Sequence, residues 1–224
     1  MGSIKFPHTS GNSMSIAAPA TNPASDLELK LPATIGTAGQ VLKNSSTPGT
    51  LEFGDDSAGK IIQWKHSTKT DVSSRTHSTF IDIPGTDETG SGSIFECNIT
   101  TTGTNKVLVI PNIMVSSSNM SWLKLIRNTG GTDTDLAKGD AATSKRDIYW
   151  GAYAGGGSTG SMYYGVMPIT GQYLDSPGAG THSYRCQFAS DGTSYVMYIN
   201  RCVYDLDPYH PRTQSAITLL ELAA

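Results

Sequence analysis

Gly156-Gly157-Ser158-Thr159-Gly160 has the spacing that holds the nucleophile of a serine hydrolase on a sharp strand-to-helix turn. That chemistry needs a helix after the serine, with a histidine and an acid behind it. Here the motif lies in the glycine-rich run 154–161 and is followed by Met162-Tyr163-Tyr164, which reads as strand. Ser158 is therefore expected in a flexible loop at the rim of a β-domain, with no catalytic role. Gly54-Asp55-Asp56-Ser57-Ala58-Gly59-Lys60 comes one residue short of a phosphate-binding loop, because Ile61 stands where a magnesium-binding hydroxyl is required. Two aspartates in the loop would repel phosphate, and strand-like Ile61-Ile62-Gln63-Trp64 follows where an anion needs a helix N-terminus. The segment reads as a hinge.

The remaining reactive side chains are dispersed. His8, His66, His77, His182 and His210 show none of the spacings of a strong metal site. Asp175, Asp205 and Asp207 would hold calcium only if the fold gathered them, and solvated loop carboxylates are the expectation. Cys97, Cys186 and Cys202 form no Cys-x-x-Cys pair, and an odd number does not suggest a disulfide framework, so buried thiols are expected. No catalytic residue, cofactor or metal is expected. What remains is aromatic: Tyr149, Trp150, Tyr153, Tyr163, Tyr164 and Tyr173, then Tyr204, Tyr209 and His210, lie in glycine-rich or turn-rich surroundings. Rings offer large contact area at low entropy cost and suit glycan or protein-surface recognition. The strand members are expected to face a core, which leaves Tyr153, Tyr204, Tyr209 and His210 as candidate recognition-loop residues.

Two kinds of element must position these groups. Over residues 1–58 one pattern recurs: Ile4-Lys5-Phe6-Pro7-His8-Thr9, Ile16-Ala17-Ala18-Pro19-Ala20-Thr21 and Leu29-Lys30-Leu31-Pro32-Ala33-Thr34, with looser copies at Gln40-Val41-Leu42-Lys43 and Leu51-Glu52-Phe53-Gly54. Each copy reads as a short strand, the first three stopped by proline, which cannot donate to a continuing ladder, and all set off by turn residues. A copy has two or three apolar side chains, worth about 1.5–3 kcal/mol each when buried, against about 1 kcal/mol or more for every residue ordered. A lone copy would not hold. Stability has to come from neighbouring copies and from other chains wound about one axis.

From residue 59 to 224 the texture changes to about ten longer runs rich in β-branched and aromatic residues, among them 61–65, 79–83, 94–99, 106–110, 121–126, 147–150, 162–166, 183–188, 195–199 and 216–222. Turn residues separate most of them, which predicts an antiparallel β-sandwich of jelly-roll type. The window 135–145 has no apolar stripe and reads as a loop. Ser190-Asp191-Gly192-Thr193 predicts a hairpin joining 183–189 to 194–203, which would set Cys186 near Met197 or Tyr198 and keep it from bridging Cys202.

Only 16% of the 224 residues are charged and the formal net charge is -3, so there is no basic field to collect nucleic acid or an anionic membrane. No run approaches the roughly 20 apolar residues of a membrane span, and the N-terminus lacks the regions of a signal peptide, so a soluble chain made in a cytoplasm is expected.

The stretch 15–34, then Gly39-Gln40-Val41-Leu42-Lys43-Asn44 and Gly49-Thr50-Leu51-Glu52-Phe53-Gly54, resembles a module of tail-fibre and other virion structural proteins of marine bacteriophages, cyanophages in particular. The resemblance covers about the first quarter of the chain. The remainder looks like the β-sandwich heads that come after such modules. The resemblance implies a homotrimer on the virion surface without enzymatic activity, and it transfers no ligand residue. The expected protein is a trimeric fibre or spike with a repetitive N-terminal β-stalk over 1–58, which binds other virion proteins, and a β-sandwich head over 59–224, which binds a host-surface glycan or protein. A capsid-decorating fibre is the alternative. A polysaccharide-degrading spike fits less well, because the head is short and poor in paired carboxylates.

Overall fold

The structure, a computed structural model, describes residues 3–7, 11, 13–17, 21, 23, 28–55, 60–85, 93–140, 148–152, 164–206 and 208–223. The chain folds as two compact units, Met1–Asp56 and Ser57–Ala224. In the first, β1 (Ser3–Pro7) pairs antiparallel with β2 (Ser13–Ala17), and β3 (Gln40–Asn44) with β4 (Leu51–Asp55). The repeat copies thus pair two by two. The third copy, expected as a strand, forms only a single bridge from Lys30 to Thr50, and Pro32 comes two residues later with no donor to continue it.

The second unit consists of two antiparallel sheets packed as a sandwich. One sheet has β10 (Ser121–Thr129) and β15 (Gly180–Ser190) at its centre. It is completed by β7 (Ile81–Asp82) and β8 (Glu96–Thr101) along β15, and by β11 (Thr132–Leu136) and β12 (Trp150–Ala152) along β10. The other sheet is organised on β9 (Lys106–Ser117), whose partners are β13 (Met167–Thr170), β14 (Tyr173–Asp175), β16 (Met197–Ile199) and β17 (Ser215–Leu222). Beyond them lie β5 (Ile61–Lys69) against β17 and β6 (Ser73–Arg75) against β16.

Side chains alternate across a strand, and here alternation makes the core. Val107, Val109, Ile113 and Val115 of β9 and Ile217 and Leu219 of β17 face Leu123, Leu125, Cys186 and Phe188 of the opposite sheet, all fully or almost fully buried. One polar clamp joins the sheets within this apolar layer. Arg127 donates through Nη1 to both oxygens of Asp175, at 2.9 and 2.8 Å, and the Tyr184 hydroxyl donates to Asp175 Oδ2 at 2.7 Å. Burial first, then the Asp175 carboxylate, raises the Tyr184 phenol above its ordinary pKa, so it stays a donor. No helix among the described residues is long and apolar enough to cross a membrane.

Several expectations are corrected. The segment Ser190-Asp191-Gly192-Thr193 closes no hairpin: 183–189 lies in β15 and pairs with β10, β8 and β7, while β16 pairs with β9 and β6 in the other sheet. Cys186 consequently sits opposite Leu125, not Met197 or Tyr198. The turn is held elsewhere, with Asp191 N–H donating to Met120 O and the Ser190 hydroxyl to His77 O. A sandwich exchanges strands between sheets at such corners, and an Asp-Gly pair serves a corner as well as a hairpin. Asp135 and Leu136, read as loop, belong to β11, whose polar residues ride on an edge. Tyr164 to Val166, read as strand, precede β13. All three cysteines are free and buried.

Removing one member of a buried ion pair strands its partner, whereas replacing both does not. Asp175→Leu is expected to destabilise the second unit by about 3–5 kcal/mol in denaturant titrations, and the Asp175→Leu/Arg127→Leu double variant by less than that single change. A double variant worse than the single one would show that the clamp contributes through attraction rather than through mutual neutralisation. The Cys186 thiol is pushed up to about 12 by burial, and burial raises Cys97 too. Neither is expected to react with a thiol reagent at pH 8 until the chain is unfolded.

Candidate functional site

Three of the four residues singled out as recognition candidates, Tyr204, Tyr209 and His210, lie between β16 and β17; Tyr153 lies outside the described residues. The connection that carries them has a tightly built base. Asn200 is buried with φ 63, a left-handed conformation that asparagine tolerates better than most residues. Its Nδ2 donates to Lys69 O at 2.8 Å and Asp71 O at 2.9 Å, and its Oδ1 accepts from the Ser215 hydroxyl at 2.6 Å. Its main chain bonds Met114 O and Thr213 N–H at 2.9 Å each. Arg201 and Arg212 then form an antiparallel bridge, and fully buried Cys202 pins the first turn beyond it.

Beyond this base the loop is organised on a carboxylate. Arg212 grips Asp205 through Nε at 3.2 Å and Nη2 at 2.8 Å, and Arg201 Nη1 approaches the same carboxylate at 3.4 Å. The guanidinium of Arg201 also lies 4.6 Å from the centre of the Tyr198 ring. The hydrogen bond from Arg212, aided by the charges of both arginines, holds the Asp205 carboxyl below the usual carboxylate range despite an opposing contribution from burial.

Against this charged pair stand three rings. Tyr164 stacks on His210 with centroids 5.6 Å apart and planes at 21°, and meets Tyr204 at 5.3 Å and 37°. His210 Nδ1 is 2.9 Å from Leu206 N, which fixes the imidazole against the loop backbone. Asp205, Leu206, His210 and Arg212 line a cleft of about 400 Å³. Tyr209 projects from the tip, 85% exposed.

The structure therefore brings Tyr204 and His210 together through Tyr164, which the sequence placed in a strand. The apolar clusters took most of the other aromatics: Tyr149, Trp150 and Tyr173 pack on the core. The polar half of the site, Asp205 with Arg201 and Arg212, went unread. Its trace in the sequence is two acids, Asp205 and Asp207, between two arginines that turn out to be cross-strand partners. Asp175 and Asp205, weighed as calcium ligands, each meet guanidinium instead. Among the described residues no group of three histidine, cysteine or acidic side chains is placed to hold a metal ion. Ser158 and Asp207 lie outside the described residues, and Lys60 leads into strand β5, not a helix. The arrangement is one of contact: a ring platform beside a carboxylate that accepts and a guanidinium that donates.

No family model matches the chain, and no curated protein matches it. Among solved structures it is similar to Eiger TNF from S. frugiperda, at 12% identity over 73% of this chain and 94% of that one, with a TM-score of 0.38. It is also similar to infectious bursal disease virus, Gt strain, at 13% identity over 86% of this chain, with a TM-score of 0.22; the matched part is 48% of that chain. Both are distant, and the sandwich described above stands on its own strand registers.

A carboxyl held below its ordinary value stabilises the folded loop at pH above its unfolded value, near 3.9, and that contribution is lost as pH falls through the lower folded value. The amide resonances around Asp205 are therefore expected to show an acid shift below about pH 4, as the folded carboxyl takes up its proton. In Asp205→Asn the shift should disappear. An identical acid response in the variant would show that another group governs the loop.

Proposed function

We propose that this protein is a virion structural protein of the kind its N-terminal repeats resemble: a homotrimeric fibre or spike on the virion surface, non-enzymatic, whose first unit attaches to other virion proteins. Its sandwich unit is the head and binds a host-surface glycan or protein. One observation supports this above the others. Among the described residues of the first unit the large apolar side chains lie open: Leu31 is 73% exposed and Ile35 93%, with Leu29, Val41, Leu42 and Phe53 also exposed. The segment 30–37 and the β3–β4 pair enclose a groove of about 690 Å³ lined by Leu31, Ile35 and Phe53. Two-stranded hairpins are marginal in water by themselves, so these side chains call for partners, and further copies of the same repeats are complementary to them.

Recognition falls to the ring platform. Tyr164, Tyr204 and His210 offer flat apolar faces, and Asp205 and Arg212 offer an acceptor and a donor beside them, the pairing that hydroxyl-bearing or peptide surfaces meet. Affinity at one such loop is modest, and three heads on one shaft multiply it by roughly 10²–10⁴ through linkage.

The full chain is expected to behave as a trimer by light scattering. Leu29→Ser/Leu31→Ser should weaken that trimer while leaving the near-UV spectrum of the second unit intact. Fluorescently labelled trimer should bind marine cyanobacterial cells, and Tyr164→Ala/His210→Ala should lower the binding at least about tenfold. A monodisperse monomer would sink the fibre, and a trimer whose cell binding ignores both ring substitutions would move recognition away from this loop. Release of reducing sugar from host polysaccharide would overturn the non-enzymatic role.

A further inference from the structure

The two outer faces of the sandwich are not alike. On the β10–β15 sheet the outward side chains include ion pairs, with Arg185 reaching Asp82 and Asp133 and Lys124 reaching Asp135, beside Trp122 and Ile126, which are buried. On the β9 sheet one transverse row runs Trp64, Leu220, Leu108, Leu174, each directly opposite the next on four successive strands. Trp64 is 65% exposed and Leu174 48%, and Ile62 beside them is open too. The neighbouring row is His66, Thr218 and Ile110, and His66 is turned onto the Thr218 hydroxyl at 2.9 Å. Apolar side chains do not line up across four strands on a face meant for water.

We infer that this face is where the heads of the assembled protein meet, its occupant being the same sheet region of a second and third copy of this chain. This rests on the trimer proposed above. Three observations select that occupant. The row Trp64, Leu220, Leu108, Leu174 is itself uncharged, with Lys106 two residues along β9 on the same face, so copies placed row against row set apolar side chains together and keep that cation at the margin. Its most exposed member, Trp64, and Ile62 beside it lie in the first strand after the N-terminal unit. Only five residue steps separate Asp55, the last residue of β4, from Lys60, and they span at most ~18 Å. Copies gathered through their first units therefore bring their β5 strands into one neighbourhood.

Area decides the rest. Four strands ~4.8 Å apart and about six residues of ~3.4 Å each make a face of roughly 400 Å², half of the ~800 Å² per partner that a free-standing interface buries. Such a face is too small to gather free heads and large enough for heads already tethered at about millimolar effective concentration.

The test is hydroxyl-radical footprinting of the full chain together with light scattering over a dilution series. In the trimer, oxidation of Trp64 is expected to be several-fold slower than that of Tyr209, although both are exposed in a single chain. Trp64→Glu and, separately, Leu174→Glu are expected to raise the concentration at which the trimer dissociates by about tenfold or more, with unchanged far-UV circular dichroism. A trimer in which Trp64 reacts as fast as Tyr209, or whose dissociation ignores both substitutions, overturns this face and leaves assembly through the first unit standing. A monomer with freely reacting Trp64 overturns both. A monomer with protected Trp64 assigns the face to another segment of the same chain.

Discussion

The sandwich depends on the strict alternation of β9. Over twelve residues its odd-numbered positions from Val107 to Val115 stay buried, while its edges pair with four other strands. A register slip of one residue would turn Val107, Val109, Ile113 and Val115 to the outside at once and carry every partner with them. Among the described residues no other strand has so many dependents, so the register of the whole second sheet is set where β9 buries its valines and isoleucines.

On that frame the polar groups divide by role. Inside the sandwich, Asp175 is reached by Arg127 and Tyr184 from the opposite sheet, which ties the layers together and fixes their offset in a way that apolar contact alone does not. In β17, one strand in from the edge strand β5, Glu221 is buried and accepts from the side-chain amides of Gln63 and Asn105. These bonds link β17 to β5 and to the turn before β9. Apolar alternation sets which face is inside, and a few satisfied polar bonds set how the strands meet.

Much of this was legible in the residues. Strands of the second unit announced themselves by β-branched and aromatic runs, and most of those runs are strands; the aromatic, turn-rich 204–210 segment proved to lie on one loop. What escaped detection needed knowledge of partners. Asp191-Gly192 reads as a hairpin because the local chemistry of a tight turn is the same whether the next strand pairs with the last one or crosses to the other sheet. Tyr164 looked like a strand residue because adjacent tyrosines fit a pleat, and its stack on His210 comes from a contact 46 positions away. Arg212 reaches Asp205 only because Arg201 and Arg212 face each other across the loop base, a pairing that no periodicity encodes. The apolar outer row Trp64, Leu220, Leu108, Leu174 is likewise invisible one strand at a time, since each member looks like an ordinary strand residue until the registers align them.

The construction of the 200–214 connection separates inheritance from invention. What the body of the domain takes from this segment is concentrated, among the described residues, in Asn200, Cys202, Thr213 and Ser215, while Tyr204, Asp205, Leu206, Tyr209 and His210 stay outside the core. Residues at the crown can be exchanged, lengthened or shortened without the sheets registering it, because the cost of closing a longer loop grows only slowly with its length. A lineage carrying such a domain can vary this crown at the rate of surface drift while its architecture stands still.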